Sequence, residues 1–430
     1  VFTYYQVNQL LTETSLSDKD NSISSAPQSN LVVGALCHDL VRDQPVEIHA
    51  DVVINAAGAW VGKIGHTAGI EIAIRPGKGT MIAVSHRIVN TVINRLKMPS
   101  DGDILVPAHT VAVMGTTDEQ VTDPDRFSIE PWEITHMLNE GEKIIPGFSQ
   151  LRILRAWAGV RPLYQETKTD QSRDITRSFV LLDHEERDNT PGLLTITSGK
   201  WTTYRKMAEV VADKVCEKLG TQRACRTHLE ELPSNGHRTR SSQRRSSSTK
   251  QNYHHLGDRL SQIERDKTYG KLICECELAT QADIESAIIE DQANTLDDIR
   301  RDVRLGMGPC QGAFCTFRAA GILHALSTND DQLPASDPQT QISDRYSSIY
   351  DINASIRDFL QERWKGLVPI LWGQQLRQER LNELICLNVL NIDHLPGPAF
   401  SRLAPENYQE AAGKKWVDED NHSATYRVPN

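Results

Sequence analysis

Residues 273–276, ICEC, and residues 306–315, GMGPCQGAFC, decide how the second half of this chain is read. They set Cys274 and Cys276 one residue apart and then, after a gap of 33 residues, Cys310 and Cys315 with four residues between them. Four thiolates brought together by two short loops are what an iron–sulfur cluster asks of a protein, with a pair of anionic sulfurs for each iron. Gly306, Gly308 and Gly312 carry no side chain, so backbone amides can approach the cluster sulfurs closely. The run CTFRAAGILHAL (315–326) is helix-like, and a helix N-terminus at Cys315 favours a thiolate there. Two other readings of the quartet stay open. One is a structural zinc, which more often sits between two CxxC knuckles; the other is a set of buried cysteines with no ligand. The spacing favours a [2Fe-2S] centre, and with it a chain that carries electrons.

At 430 residues the chain has room for two or three domains, each with its own core. Its 39% hydrophobic and 24% charged content is that of an ordinary globular protein. A net charge of -10 speaks against a nucleic-acid partner, which usually requires a basic face. No apolar run approaches the roughly 18 residues of a membrane span, so any membrane association would be peripheral or through another polypeptide. No signal peptide is recognisable, and half of the eight cysteines are spaced as ligands, which fits a reducing cytoplasm better than a disulfide framework. Cys37, Cys216, Cys225 and Cys386 are read as ordinary thiols.

Residues 1–220 alternate short apolar strands with helical stretches, an α/β pattern. LVVGALCHDL (31–40) and PVEIHADVVINAAG (45–58) read as a hairpin leading into a buried strand. HTVAVMGTTD (109–118) and SFVLLDH (178–184) are further strands, and PWEITHMLNEGEKII (131–145) and TTYRKMAEVVADKVCEKLG (202–220) are helices. Residues 221–267 are expected to be a linker, since 234–252 are rich in Ser and Arg and lack apolar periodicity. Residues 268–330 form the small cysteine domain, with helices at 280–290 and 295–303. Residues 331–430 are a polar linker and a helical tail, whose Trp364, Ile370, Leu371 and Trp372 dock either on a partner or on the chain itself.

Several strings in 1–210 suit a dinucleotide-like cofactor and an anionic substrate. NAAGAW (55–60) ends an apolar strand in small residues, which lets the backbone approach a pyrophosphate. RPGKGT (75–80) and GTTD (115–118) are glycine-bearing turns at strand ends. GVRPL (159–163) sets Arg161 in an apolar setting, where it needs an anionic partner: a substrate, or an internal Asp or Glu. ITRSF (175–179) supplies Arg177, and SGKWTTYR (198–205) supplies Lys200 at a strand-to-helix turn. Two arginines and a lysine suit a phosphate monoester.

In this order, NAAGAW, RPGKG, GTTD, GVRPL, ITRSF and SGKWTTYRKMAE resemble the FAD-dependent glycerol-3-phosphate dehydrogenase family, and the cysteine domain resembles the bacterioferritin-associated-ferredoxin-like [2Fe-2S] module. The resemblance implies a fold class of α/β: a partial FAD-dependent oxidoreductase domain, then a small helical iron–sulfur domain and a helical tail. It implies oxidation of sn-glycerol 3-phosphate to dihydroxyacetone phosphate, with FAD as hydride acceptor and the cluster as electron exit. Arg161 and Arg177 would bind the substrate phosphate, and Lys200 would stand beside the flavin. Ala57, Gly58, Gly199, Lys200 and Thr202 would hold the flavin, and Cys274, Cys276, Cys310 and Cys315 the cluster. The implied partners are subunits B and C of one complex, which pass electrons to a quinone and hold the enzyme at the inner face of the cytoplasmic membrane. Two departures stand out: Ser198 replaces the usual glycine of the Gly-Gly-Lys string, and no GxGxxG fingerprint occurs, so it is expected N-terminal to Val1 together with part of the substrate pocket. On that expectation the 430 residues hold FAD weakly. The alternatives are a related flavin enzyme acting on amino or hydroxy acids and a non-catalytic electron relay.

Overall fold

The computed structural model of the chain describes residues 2, 4–13, 30–40, 43–98, 100–165, 178–230, 256–291, 293–328 and 349–389. Strands β1 (Tyr5–Thr12), β2 (Val32–Asp39) and β3 (Gln44–His49) form an antiparallel sheet in that order. The β2–β3 pair is the expected hairpin; Gly34 lies opposite His49, where a side chain would meet the Ile48 carbonyl oxygen at 2.1 Å. Strand β4 (Val53–Asn55) follows, then a single 3₁₀ turn over Gly58–Trp60 and helix α1 (Val61–His66).

The largest sheet holds β5 (Ile74–Val84), β6 (Ile93–Asn94), β7 (Ile104–Ala108), β8 (Val111–Gly115), β9 (Glu119–Gln120) and, after helix α2 (Pro131–Glu142), β10 (Ile153–Tyr164). Its order is β10-β5-β8-β7-β6, with β9 added on β5. Helix α2 starts with Pro131 and a capping box between Glu130 and Glu133, and it lays Ile134 and Met137 on Ile82, Leu105, Met114 and Phe148. Glu133 itself is fully buried, a large cost unless it is paired. Lys78 of β5 supplies the partner, with its Nζ 2.7 Å from Glu133 Oε2. The hydroxyls of Thr80 and Thr117 both donate to Glu133 Oε1.

A third sheet places β12 (Leu193–Ser198) between β11 (Phe179–Asp183) and β4, with helix α3 (His184–Asp188) linking the first two and helix α4 (Tyr204–Lys218) following. All six β12 residues are buried, which explains the uninterrupted apolar and threonine run LLTITS. β12 is antiparallel to β11 and parallel to β4, with Leu193 opposite Val53 and Thr195 opposite Asn55. The parallel pairing brings the carboxyl ends of β4 and β12 to one edge, the place where open α/β sheets hold ligands.

The cysteine module begins with helix α5 (Leu256–Arg265) and strands β13 (Leu272–Cys274) and β14 (Ala279–Thr280). It continues with α6 (Gln281–Ile289), α7 (Leu296–Val303) and α8 (Cys315–Thr328). Thr280 with Asp283 and Thr295 with Asp298 form capping boxes that fix the starts of α6 and α7. Helix α5 lies within the stretch expected as linker. Its Arg259 donates to Asp283 at 2.7 Å and lies over the Tyr269 ring, so the module starts earlier than its composition suggested. Residues 234–252 lie outside the described residues.

Helix α9 (Ile349–Leu367) belongs to the module rather than to a detached tail. Its Ile352, Ile356 and Phe359 complete the core of Ile284, Leu296 and Leu323. It then delivers Leu367 and Ile370 into the core of the large sheet, while helix α10 (Gly373–Asn388) continues beyond. The intramolecular alternative therefore holds for Ile370 and Leu371, whereas Trp364 and Trp372 are exposed.

Candidate active site and cluster site

At the carboxyl end of β4, Gly58 turns the chain with φ +59, and a side chain there would meet nothing within 4 Å. This is an open backbone cradle entered only by glycine at low cost, and it fits a pyrophosphate close to the chain. At the neighbouring end of β12, Gly199 has φ +80, and a Cβ would strike Met207 Sδ at 2.8 Å and Phe179 Cβ at 3.0 Å. Glycine is needed at 199 for packing as well as for conformation. Ser198, at φ +62, is a non-glycine residue in the left-handed region, and its hydroxyl accepts the Tyr164 amide at 3.4 Å. The substitution noted in the sequence thus sits where the backbone itself favours glycine. Lys200 and Thr202 are exposed on the following turn, which Thr203 closes by accepting from the Lys200 amide at 3.2 Å. Ala57 is part-buried at the N-terminal edge of the Gly58 turn.

The end of β10 joins this edge through Tyr164 and Ser198 and carries Arg161 three residues earlier. Arg161 Nη1 donates to Asp118 Oδ1 at 3.1 Å, and Nη2 donates to the Thr116 hydroxyl and, at 3.2 Å, to the Thr117 carbonyl. Asp118 is 6% exposed at its side chain, so this is a sheltered ion pair. Gly79 makes room for it, since a Cβ there would lie 2.4 Å from Arg161 Nη2. Of the two anionic partners open to Arg161 in the sequence, the internal carboxylate is in contact. GTTD supplies it, together with the two threonines, which its glycine alone did not reveal. Arg177 lies outside the described residues.

The four cysteines converge. Cys276 Sγ is 3.6 Å from Cys310 Sγ, and the Cys315 thiol reaches both Cys274 and Cys310. Cys274 and Cys315 are buried; Cys276 and Cys310 are part-buried. The Cys315 thiol, together with the Gly306 and Glu277 amides, holds Cys274 below the ordinary thiol range against its burial. The Cys276 and Cys315 thiols, with the Gly312 and Phe314 amides, draw Cys310 down more strongly. The same sulfur contacts, with burial, push the donor thiols Cys276 and Cys315 up, so thiolate is favoured at Cys274 and Cys310 and not at all four sulfurs. Glycine at 308 is a steric need, because a Cβ would stand 2.3 Å from Cys276 Cβ. Phe359 of α9 fills the space beside Gly306 and Gly312, at 2.9 Å from a Cβ built on either. This donor set fits a [2Fe-2S] cluster.

Residues 28–205 match the family described as FAD dependent oxidoreductase, and residues 272–325 match the BFD-like [2Fe-2S] binding domain. The A1 subunit of anaerobic glycerol-3-phosphate dehydrogenase from Haloferax volcanii is 40% identical over 362 residues, which cover 82% of this chain and 58% of that protein. The A subunit of anaerobic glycerol-3-phosphate dehydrogenase from Escherichia coli is 38% identical over 365 residues, 82% of this chain and 64% of that one. The chain is homologous to these anaerobic glycerol-3-phosphate dehydrogenase subunits. The chain spans about three fifths of the length of those relatives, 58% and 64%. The solved glycerol-3-phosphate dehydrogenase from Bacillus halodurans, complexed with FAD, shares the fold at a TM-score of 0.53 and 18% identity, over 87% of this chain and 71% of that one. The chain thus joins a FAD-dependent oxidoreductase domain to a BFD-like [2Fe-2S] domain, as the cysteine spacing and the upstream strings led one to expect.

Proposed function

We propose that this chain takes part in oxidising sn-glycerol 3-phosphate to dihydroxyacetone phosphate and passes the electrons out through its cysteine module. The observation that carries the reading is the convergence of the Gly58 turn, the Ser198–Gly199–Lys200 loop and the Arg161 end of β10 in a chain 40% identical to part of a glycerol-3-phosphate dehydrogenase. When bound, FAD supplies a hydride acceptor and the [2Fe-2S] cluster a one-electron carrier.

Arg161, with Arg177, takes the phosphate of the substrate and so fixes the position of its C2 carbon. Asp118, Thr116 and Thr117 hold the Arg161 guanidinium in one orientation, so little rotamer freedom is lost on binding. Lys200, exposed beside Gly199, stabilises the negative charge that grows on the substrate oxygen as its proton leaves. Gly58 and Ala57 give the cofactor pyrophosphate a close backbone approach. Cys274, Cys276, Cys310 and Cys315 hold the cluster. Partner subunits B and C receive the electrons, deliver them to a quinone and keep the assembly at the inner face of the cytoplasmic membrane. Among the described residues no helix is long and apolar enough to cross a membrane.

The phosphate role is tested by comparing glycerol 3-phosphate with glycerol on R161A. The proposal predicts a rise in KM for the phosphorylated substrate alone, and an equal effect on both would sink it.

A further inference from the structure

Glu277 follows the ligand Cys276 directly, yet its side chain is turned away from solvent, at 0% exposure. Two hydrogen-bond donors and one close imidazole nitrogen, from two domains, meet it. Thr110 Oγ1 donates to Oε1 at 2.9 Å, His109 Nδ1 lies 2.8 Å from Oε2, and Arg304 Nε donates to Oε2 at 2.8 Å. His109 and Thr110 form the β7–β8 turn of the oxidoreductase domain, whereas Arg304 ends α7 of the cysteine module. A Cβ on Gly308 would stand 3.3 Å from both Glu277 Oε1 and Thr110 Oγ1, so the turn and the cluster loop are packed without spare room. A second contact of the same kind lies nearby: Arg152, at the start of β10, donates to the Pro309 carbonyl at 2.9 Å.

We propose that Glu277 is a positioning residue that locks the cluster loop onto the β7–β8 turn and so fixes the cluster against the oxidoreductase domain. A buried carboxylate met from both domains ties them together, because separating the domains takes away the Thr110 hydroxyl and the His109 ring and leaves it with Arg304 alone. One end of β8 makes this contact; past the other end Thr116 holds Arg161, six residues on and about 20 Å away at the usual strand rise. Strand β8 is therefore a rigid spacer between the candidate substrate site and the cluster. The electron-transfer consequence rests on the function proposed above; the lock itself does not.

The test uses the full chain, reconstituted with iron and sulfide, as wild type, E277Q and T110V. Three readouts are taken: iron and acid-labile sulfide per chain, the midpoint potential of the cluster, and hydrogen exchange at 104–115 and 306–312. T110V removes one donor, keeps the side-chain shape packed against Gly308 and leaves the cluster-loop sequence unchanged. It is expected to keep wild-type iron content while exchange quickens about tenfold or more in both segments, as the loss of a hydrogen bond to a charged group gives when the two segments open together. E277Q is expected to raise the potential, because a negative charge beside Cys276 is lost. Faster exchange in only one segment, or wild-type exchange in both, would overturn the lock. If E277Q fails to fold, T110V alone decides. With FAD added, a substrate that reduces nothing while T110V still loosens both segments would count against the function proposed above and not against the lock.

Discussion

Arg161 and Asp118, 43 residues apart in sequence, form one sheltered ion pair with 3.1 Å between Nη1 and Oδ1. A guanidinium already fixed on one side by a carboxylate presents its charge in a set direction, which is what phosphate recognition needs. The pair also makes Arg161 a structural residue.

Replacing Arg161 with Met takes one cation from the sheltered Asp118 and should cost about 1–3 kcal/mol of stability. The double variant R161M/D118N, with neither charge, should lose less than R161M alone. Denaturant midpoints of the four proteins in this cycle measure the coupling.

Glu133 supplies a pH dependence. Burial alone would raise its carboxyl, but Lys78, Thr80, the Glu130 amide and Thr117 together hold it below the ordinary range. A carboxyl depressed in the folded state stabilises above its unfolded pKa of about 4.3, and that contribution is lost as the pH falls through the lower, folded value. E133Q should therefore be clearly less stable than wild type near neutral pH, and the gap should narrow as the pH drops below about 4. Urea midpoints of both proteins across that range check the sign.

The β12 turn separates two glycine requirements. G199A must take φ +80 and push Met207 aside, at a cost of about 1–3 kcal/mol. S198G relieves a left-handed serine worth roughly 1 kcal/mol, gains a similar amount of chain entropy to lose and gives up the long hydrogen bond from the Tyr164 amide, so it should cost no more than about 1 kcal/mol. Thermal unfolding of the two variants should rank them in that order.

At the cluster, G308A should displace the Cys276 side chain and lower iron and sulfide content together, as C276S or C310S would. Zinc at one equivalent per wild-type chain, with no sulfide, would instead revive the structural-metal reading.

What the sequence disclosed follows from how local each signal is. The cysteine loops, the two helices read at 280–290 and 295–303 and the β2–β3 hairpin are written in neighbouring residues, and each stands where its pattern predicted. The Arg161–Asp118 pair and the Glu277 contacts join residues 43 and 167 positions apart, which no local pattern encodes. Helix α9 was legible as a helix. That Phe359 fills the space beside Gly306 and Gly312 was not, because an apolar helix face does not say which core it joins. Helix α5 was hidden by the polar stretch before it.

The most direct test adds sn-glycerol 3-phosphate under anaerobic conditions to the chain loaded with iron, sulfide and saturating FAD, and follows the cluster by electron paramagnetic resonance. The account predicts that the substrate produces the same reduced-cluster signal as dithionite and that R161A weakens it at limiting substrate. A cluster that dithionite reduces and glycerol 3-phosphate leaves oxidised, with FAD bound, would contradict it.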